Sequence, residues 1–259
     1  MELLDGLLSD KSDNWVLIPC HNNSALLMAG LESILAQSIP VRIMAINNGS
    51  KDNVPFVLNN LGNEHITVNA YPQLGVSGAW NFGLRYLFDK EGAEKVLVVN
   101  QDVVLLPETY EVLNGEPGEF VSAVSVQHMD QLRYQRGTNH NRRPHPDFSC
   151  FRITRSCYRT VGPFDEEAFP IAWYEDNDFH IRAAQRGIEL VCIDLPFYHY
   201  AAGTMKAATE YEAANYYGPA FLKSKQRFKD KWGVVPGASE LDTKAYEEMC
   251  SPTYWASNN

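Results

Sequence analysis

Short apolar runs, polar loops and amphipathic stretches alternate through the first hundred residues. Trp15–Pro19 (WVLIP) is an unbroken apolar run closed by proline, the pattern of a strand buried on both faces. CHNN follows, and then apolar residues at Leu27, Leu31, Ile34 and Leu35, a spacing that predicts a helix with one buried stripe capped by Asn22 or Asn23. The alternation returns in Val41–Ile46 (strand), NNGS (turn), Val54–Leu61 (helix) and Ile66–Ala70 (strand). A glycine-punctuated loop, a helix over Ser77–Phe88 and a fourth apolar strand, Lys95–Val99, complete the series. Beyond Pro107 the pattern is mixed. It predicts a strand over Glu119–Val126, a loop over Arg133–Pro146, a helix over Asp176–Arg186 and a strand over Glu189–Ile193. Last comes a helix over Thr209–Lys231, interrupted at Gly218-Pro219.

Strands and helices alternating in units of roughly 30 residues imply a mostly parallel central sheet flanked by helices, with ligands at the carboxyl ends of the strands. The loops CHNN, NNGSKD and NQD each fall at such an end, so segments far apart in sequence are expected to meet in one crevice. The expectation is a single α/β domain over residues 1–205, with a nucleotide-binding half (15–105) and an acceptor or catalytic half (106–205). Residues 206–259 form a C-terminal helical extension packed on it.

Composition narrows the function. Lys and Arg number 22 against 32 Asp and Glu, a formal charge of −10, which argues against a general polyanion binder. Five cysteines, odd in number and without a CxxC pair, suggest neither a disulfide framework nor a zinc site, and fit a reducing compartment. No segment approaches the ~20 apolar residues of a membrane span, so the expectation is a soluble, cytoplasmic protein.

Four segments in order, VLIPCHN, AINNGSKDN, VVNQDV and VGPFDEEAFPIAWYEDNDFHIRAAQRG, with GVSGAWNFGL between the second and third, resemble family 2 of the inverting glycosyltransferases. The resemblance spans roughly Trp15 to His199 and lies in order and spacing. It implies a GT-A fold and transfer of a sugar from a nucleoside-diphosphate sugar, a UDP-sugar being favoured, to an acceptor hydroxyl.

Under that resemblance, Pro19, His21, Asn47, Asn48, Gly49, Asp52, Gly75, Asn81, Asn100 and Gln101 are the expected nucleotide-sugar contacts, with His21 placed to stack on the base. The family usually carries aspartate at the Asn47 position; asparagine keeps the acceptor oxygen and loses the charge. Asp102, a carboxylate after a purely aliphatic strand, is the candidate ligand for Mn²⁺ or Mg²⁺, hard cations that favour oxygen donors and bridge phosphates. The family's Asp-x-Asp is here Asn100-Gln101-Asp102, one carboxylate short. His199 matches the position of a metal-binding histidine. Asp176 matches the catalytic base, with Glu175 orienting the acceptor and Arg182 pairing with Asp178. By themselves, acids at a helix start are ordinary dipole-stabilising residues; the surrounding Trp173, Tyr174 and Phe179 are what capping leaves unexplained.

The loop from Arg133 to His145 gathers Arg133, Arg136, Arg142, Arg143, His140 and His145. It reads either as a solvated surface loop or as a flap meeting an anionic acceptor (lipid phosphate, polysaccharide or modified DNA) or the donor diphosphate. Tyr216, Tyr217, Lys231, Trp232 and Gly233 resemble a tail of polysaccharide-assembling members, or pack a helix on the core. A dinucleotide oxidoreductase would need GxGxxG after the first strand, and a nucleotidyltransferase a basic glycine-rich loop there; CHNNSALL is neither. A catalytically degenerate protein that only binds nucleotide sugar or glycan is the alternative, favoured by Asn100 and opposed by the intact Glu175-Asp176 pair.

Overall fold

The computed structural model describes residues 13–133, 140–200 and 209–258. Most of the acidic N-terminus, Arg136 of the basic loop and the expected 205/206 boundary lie outside the described residues. The strands are β1 (Trp15–Cys20), β2 (Arg42–Asn48), β3 (Ile66–Ala70), β4 (Lys95–Val99), β5 (Val103–Val104), β6 (Phe120–Val126), β7 (Arg142–Arg143), β8 (Cys150–Thr154) and β9 (Leu190–His199). The helices are α1 (Ser24–Leu35), α2 (Val54–Asn59), α3 (Gly75–Asp89), α4 (Thr109–Gly115), α5 (Arg155–Val161), α6 (Glu175–Gln185), α7 (Gly218–Trp232), α8 (Glu240–Met249) and α9 (Pro252–Asn258).

One sheet runs β3-β2-β1-β4-β8-β6-β9-β5, with β7 beside β9. β1, β2, β3, β4, β6 and β9 point one way and β5, β7 and β8 the other, so the sheet is mixed and mostly parallel. The first four strands are apolar throughout or nearly so because helices cover both faces. Trp15, Leu17, Val96 and Val98 enter one core, while Val16, Ile18, Leu97 and Val99 enter the other. Each such side chain contributes about 1.5–3 kcal/mol of burial. Asn23 caps α1, its side chain accepting from Leu26 N–H at 3.4 Å.

The short elements β5, α4, β7 (inside the expected loop Arg133–Pro146) and α5 were not expected from sequence, and three longer segments also depart from expectation. β8 enters antiparallel between β4 and β6, in a stretch without the apolar run of the earlier strands. Its Arg152, 1% exposed, donates to the carbonyls of Leu113, Glu116 and Gly118, so a charged residue sits inside a central strand with its donors satisfied. β9 continues through Pro196 to His199 instead of ending at Ile193, because a register shift opposite Ser122–Val124 absorbs the missing donor. The late helix is not broken at Gly218-Pro219. A helical turn at Glu210–Glu212 leads into a π-helical stretch, Ala213–Tyr217, and α7 follows directly; Pro219 falls in the first turn, where its missing N–H is tolerated.

The C-terminal helices pack against α6 through Phe169, Ile181, Phe228, Tyr246 and Cys250. All five cysteines are buried and unbridged. Among the described residues no helix is long and apolar enough to cross a membrane.

Candidate functional site

A cavity of about 640 Å³ opens at the carboxyl ends of β1, β2 and β4, within the size range of small-ligand sites. The three polar loops do converge there, and side-chain amides knit them together. Gln101 accepts from His21 N–H at 2.7 Å and donates to the His21 and Asn22 carbonyls at 3.0 and 2.8 Å. Asn22 N–H donates to Ser50 Oγ, and Asn22 Oδ1 accepts from Lys51 N–H. The His21 ring donates through Nδ1 to the Asn48 carbonyl at 2.8 Å, because a carbonyl can only accept. Its Nε2 is thereby the acceptor, facing Asn22 Nδ2 at 3.1 Å and Tyr217 Oη at 3.4 Å.

Of the residues singled out from sequence, Pro19, His21, Asn48, Asn100, Gln101, Asp102, Glu175, Asp176 and His199 line this cavity. Asn47, Gly49, Asp52, Gly75 and Asn81 are not in its wall and instead shape the loops behind it. Asn47, 1% exposed, donates to Asn69 and accepts from Ser50 N–H. Asp52 accepts from Ser24 N–H and Val54 N–H. Asn81 accepts from Phe164 N–H and Tyr158 Oη and donates to Phe164 O. Gly75, at φ +72°, allows the 170–171 backbone to approach so closely that a Cβ would stand 1.9 Å from Pro170 O.

Asp102 and His199 come from segments almost a hundred residues apart, and the β5–β9 ladder pairs Val103, the residue after Asp102, with His199 itself. Tyr200 N–H donates to Asp102 O at 3.0 Å. Asp102 Oδ1 then lies 3.3 Å from His199 Nε2. Ligand atoms at about 2.1 Å in adjacent octahedral positions stand about 3 Å apart, so the pair fits two neighbouring positions on one divalent cation. Among the described residues no group of three or more His, Cys, Asp or Glu could hold a metal, so a cation here would take its remaining oxygens from phosphate and water.

Another wall of the cavity is the start of α6. Trp173 and Tyr174 both have positive φ, 71° and 70°, an unfavourable conformation for bulky residues that persists only where surroundings enforce it. The enforcing contacts are visible: Val76 N–H donates to Ile171 O, and Ser224 Oγ donates to Ala172 O. Trp173 meets Tyr217 and Phe221 edge-on, while Tyr174 packs on Phe228. Phe179 stacks on Phe164 at 4.4 Å and holds α6 on the aromatic core. Asp178, fully buried, pairs with Arg182 at 2.7 Å, as expected from sequence, and also with Lys231 Nζ at 2.7 Å and Trp232 Nε1 at 3.0 Å. Lys231 and Trp232 are therefore anchors of the C-terminal helix.

Burial, with the Asp176 charge adding to it, pushes the Glu175 carboxyl up to about 8. Its Oε2 is buried without a hydrogen-bond partner. Burial also raises Asp176, opposed by backbone N–H donors, Asn177 N–H foremost at 2.7 Å, and reinforced by the Asp147 charge. Two adjacent acids with raised pKa values in a cleft suit proton transfer.

Sequence reasoning passed over Asp147, Phe148 and Gln73, all in the cavity wall, and no local pattern marks any of them; Trp80, also in the wall, falls within GVSGAWNFGL but was not singled out. In the basic loop, Arg142 pairs with Glu116, Arg133 Nε donates to the Asp130 carbonyl, and His140 bonds Asp194. His145 alone of that group's described members lines the cavity.

The fold has solved counterparts. The mannosyltransferase PcManGT from Pyrobaculum calidifontis, in complex with GDP-Man and Mn²⁺, aligns with a TM-score of 0.54 at 15% identity, over 94% of this chain and 85% of that one. S. aureus TarS 1–349 in complex with UDP gives 0.56 at 10% identity over 95% and 92%; of a longer S. aureus TarS chain this protein spans 36%. GalNAc-T7 with UDP, GalNAc and Mn²⁺ gives 0.61 at 13% identity over 94% and 56%. At such identities these likenesses establish the shared GT-A fold. No curated protein matches the chain in sequence. The family profile described as Glycosyl transferase family 2 matches residues 15–165, more than half of the sequence, and the chain belongs to that family.

Proposed function

We propose that the protein transfers a sugar from a nucleoside-diphosphate sugar to an acceptor hydroxyl with inversion, assisted by Mn²⁺ or Mg²⁺. The observation that carries this reading is the meeting of Asp102, His199, Glu175 and Asp176 in one cavity. Family membership supports it, as do the structural counterparts solved with GDP-Man and Mn²⁺ or with UDP.

His21, Asn48 and Gln101 form the nucleotide end of the cavity, where the π-helical Tyr217 closes over His21. Asp102 and His199 are the residues that would hold the cation, and a cation there would supply positive charge to offset that of the leaving diphosphate. Asp176 accepts the proton of the acceptor hydroxyl while that oxygen bonds to the anomeric carbon and the carbon–phosphate oxygen bond breaks, the electron pair leaving with the diphosphate. One displacement inverts the centre. Glu175, protonated at neutral pH by its burial, adds no second negative charge beside Asp176 and has a proton with which to orient a hydroxyl.

The testing experiment is transfer from a panel of UDP- and GDP-sugars, with and without Mn²⁺, by wild type and Asp176→Asn. Metal-dependent turnover lost in the variant, with donor affinity within about twofold of wild type, is expected. Tight donor binding without turnover in wild type would replace this reading with the binding-only alternative, for which Asn100 in place of an acid is the support.

A further inference from the structure

The transferase reading leaves one carboxylate of the cavity without a task. Asp147 lines the same cavity as Asp102 and Asp176. Its segment is tied to the cation loop, Asn100 N–H donating to Ser149 O at 2.9 Å. Its charge is felt at Asp176. The carboxylate is held firmly: Oδ1 accepts from Ser149 N–H at 2.9 Å, and Asp147 N–H donates to the buried Ser122 Oγ at 2.8 Å. The adjoining Phe148 is wedged against Phe120 and Phe151, at ring separations of 4.9 and 5.3 Å. A carboxylate fixed by framework hydrogen bonds therefore lines the cavity that a sugar joining a diphosphate near Asp102 to an attacking oxygen near Asp176 would occupy. Hydroxyls of a sugar are donors, and a carboxylate has acceptor positions for more than one of them.

We propose that Asp147 holds hydroxyls of the transferred sugar and, with Asp176 in the same cavity, restricts that sugar to an uncharged one. The proposal rests on the transferase reading. Glu175 strengthens it, since its partnerless buried Oε2 on the same wall is satisfied by a further sugar or acceptor hydroxyl. A uronic acid donor would bring another carboxylate into a partly dehydrated space already holding two, an arrangement that like charges disfavour. The same sugar carrying a hydroxymethyl group meets no such repulsion.

The test is equilibrium binding, with Mn²⁺ present, of UDP, GDP, UDP-glucose, UDP-N-acetylglucosamine, GDP-mannose and UDP-glucuronate to wild type and Asp147→Asn. The asparagine keeps an oxygen for Ser149 N–H, and unchanged binding of the bare diphosphate reports that the variant is folded. In wild type at least one neutral sugar nucleotide is expected to bind more tightly than its own diphosphate, and UDP-glucuronate more weakly than UDP. In Asp147→Asn the neutral-sugar advantage should fall on the order of tenfold while the diphosphate is unaffected, and the penalty on UDP-glucuronate should shrink. An unchanged sugar advantage and an unchanged glucuronate ratio in the variant would overturn the proposal. Failure of wild type to bind either bare diphosphate would instead remove the transferase reading beneath it.

Discussion

Glu175→Gln should change the way stability depends on pH. In the folded protein the carboxyl is buried, with Oε2 unpaired, and its pKa is pushed up from 4.5 to about 8. Between those two values the folded state binds more protons than the unfolded chain, so stability falls as pH rises through the window. The contribution is fully present below about 4.5 and lost by about 8. At about 1.4 kcal/mol per unit, the full shift bounds the loss at about 5 kcal/mol. Water entering the cavity screens part of it, leaving a working figure of about 2–3 kcal/mol. Glutamine has the same shape and no titrating proton, so groups common to both proteins cancel in the comparison. For a chain of this size 1 kcal/mol is worth about 2–4 °C; wild type should therefore lose roughly 4–12 °C relative to the variant between pH 5 and pH 8.5, measured by differential scanning calorimetry without ligand. Parallel melting curves across that range would refute the claim that Glu175 is held protonated by burial.

Other expectations concern the scaffold and the base. Asp178→Ala removes the shared partner of Arg182, Lys231 and Trp232, and the stranded charges should lower stability by about 3–5 kcal/mol in urea titrations; a change within about 0.5 kcal/mol would mean the network is idle. Gly75→Ala places a methyl 1.9 Å from Pro170 O at a positive φ, so the segment leading to Trp173 must shift, and melting temperature and turnover should fall together. Because burial raises Asp176 and the base works deprotonated, kcat/KM should climb with pH through a limb above the ordinary aspartate range. A pH-independent profile down to acid conditions would contradict that role.

The parallel half of the sheet was legible in sequence because strands buried on both faces spell continuous apolar runs, and because turn residues must follow them. Ile66–Ala70 and Lys95–Val99 run to their expected bounds. β8 was not legible: CFRIT carries an arginine whose burial depends on carbonyls of a distant loop, which no local pattern encodes. Pro196 hid the second half of β9 because the irregularity that accommodates it, two surplus residues of β9 opposite Ser122–Val124, shows only in the pairing with β6. In the site, Asp102 was suggested by its place after an aliphatic strand and His199 by family spacing, but only the β5–β9 pairing shows why they meet. Asparagines and glycines of the same motifs divide between wall and support, Asn48 facing the cavity and Asn47 holding Ser50; adjacent strand residues point to opposite faces, and composition does not say which is inward. Asp147 carried no signal, because its position depends on two framework hydrogen bonds made after folding.

The most direct test of the central claim is anomalous diffraction from crystals holding Mn²⁺ and the tightest-binding nucleoside diphosphate. A single strong peak about 2.2 Å from both Asp102 Oδ1 and His199 Nε2, touching the diphosphate, with the Asp176 carboxylate in the same cavity beyond it, is the predicted result. A cation bound elsewhere, or a nucleotide seated outside this cavity, would contradict the account.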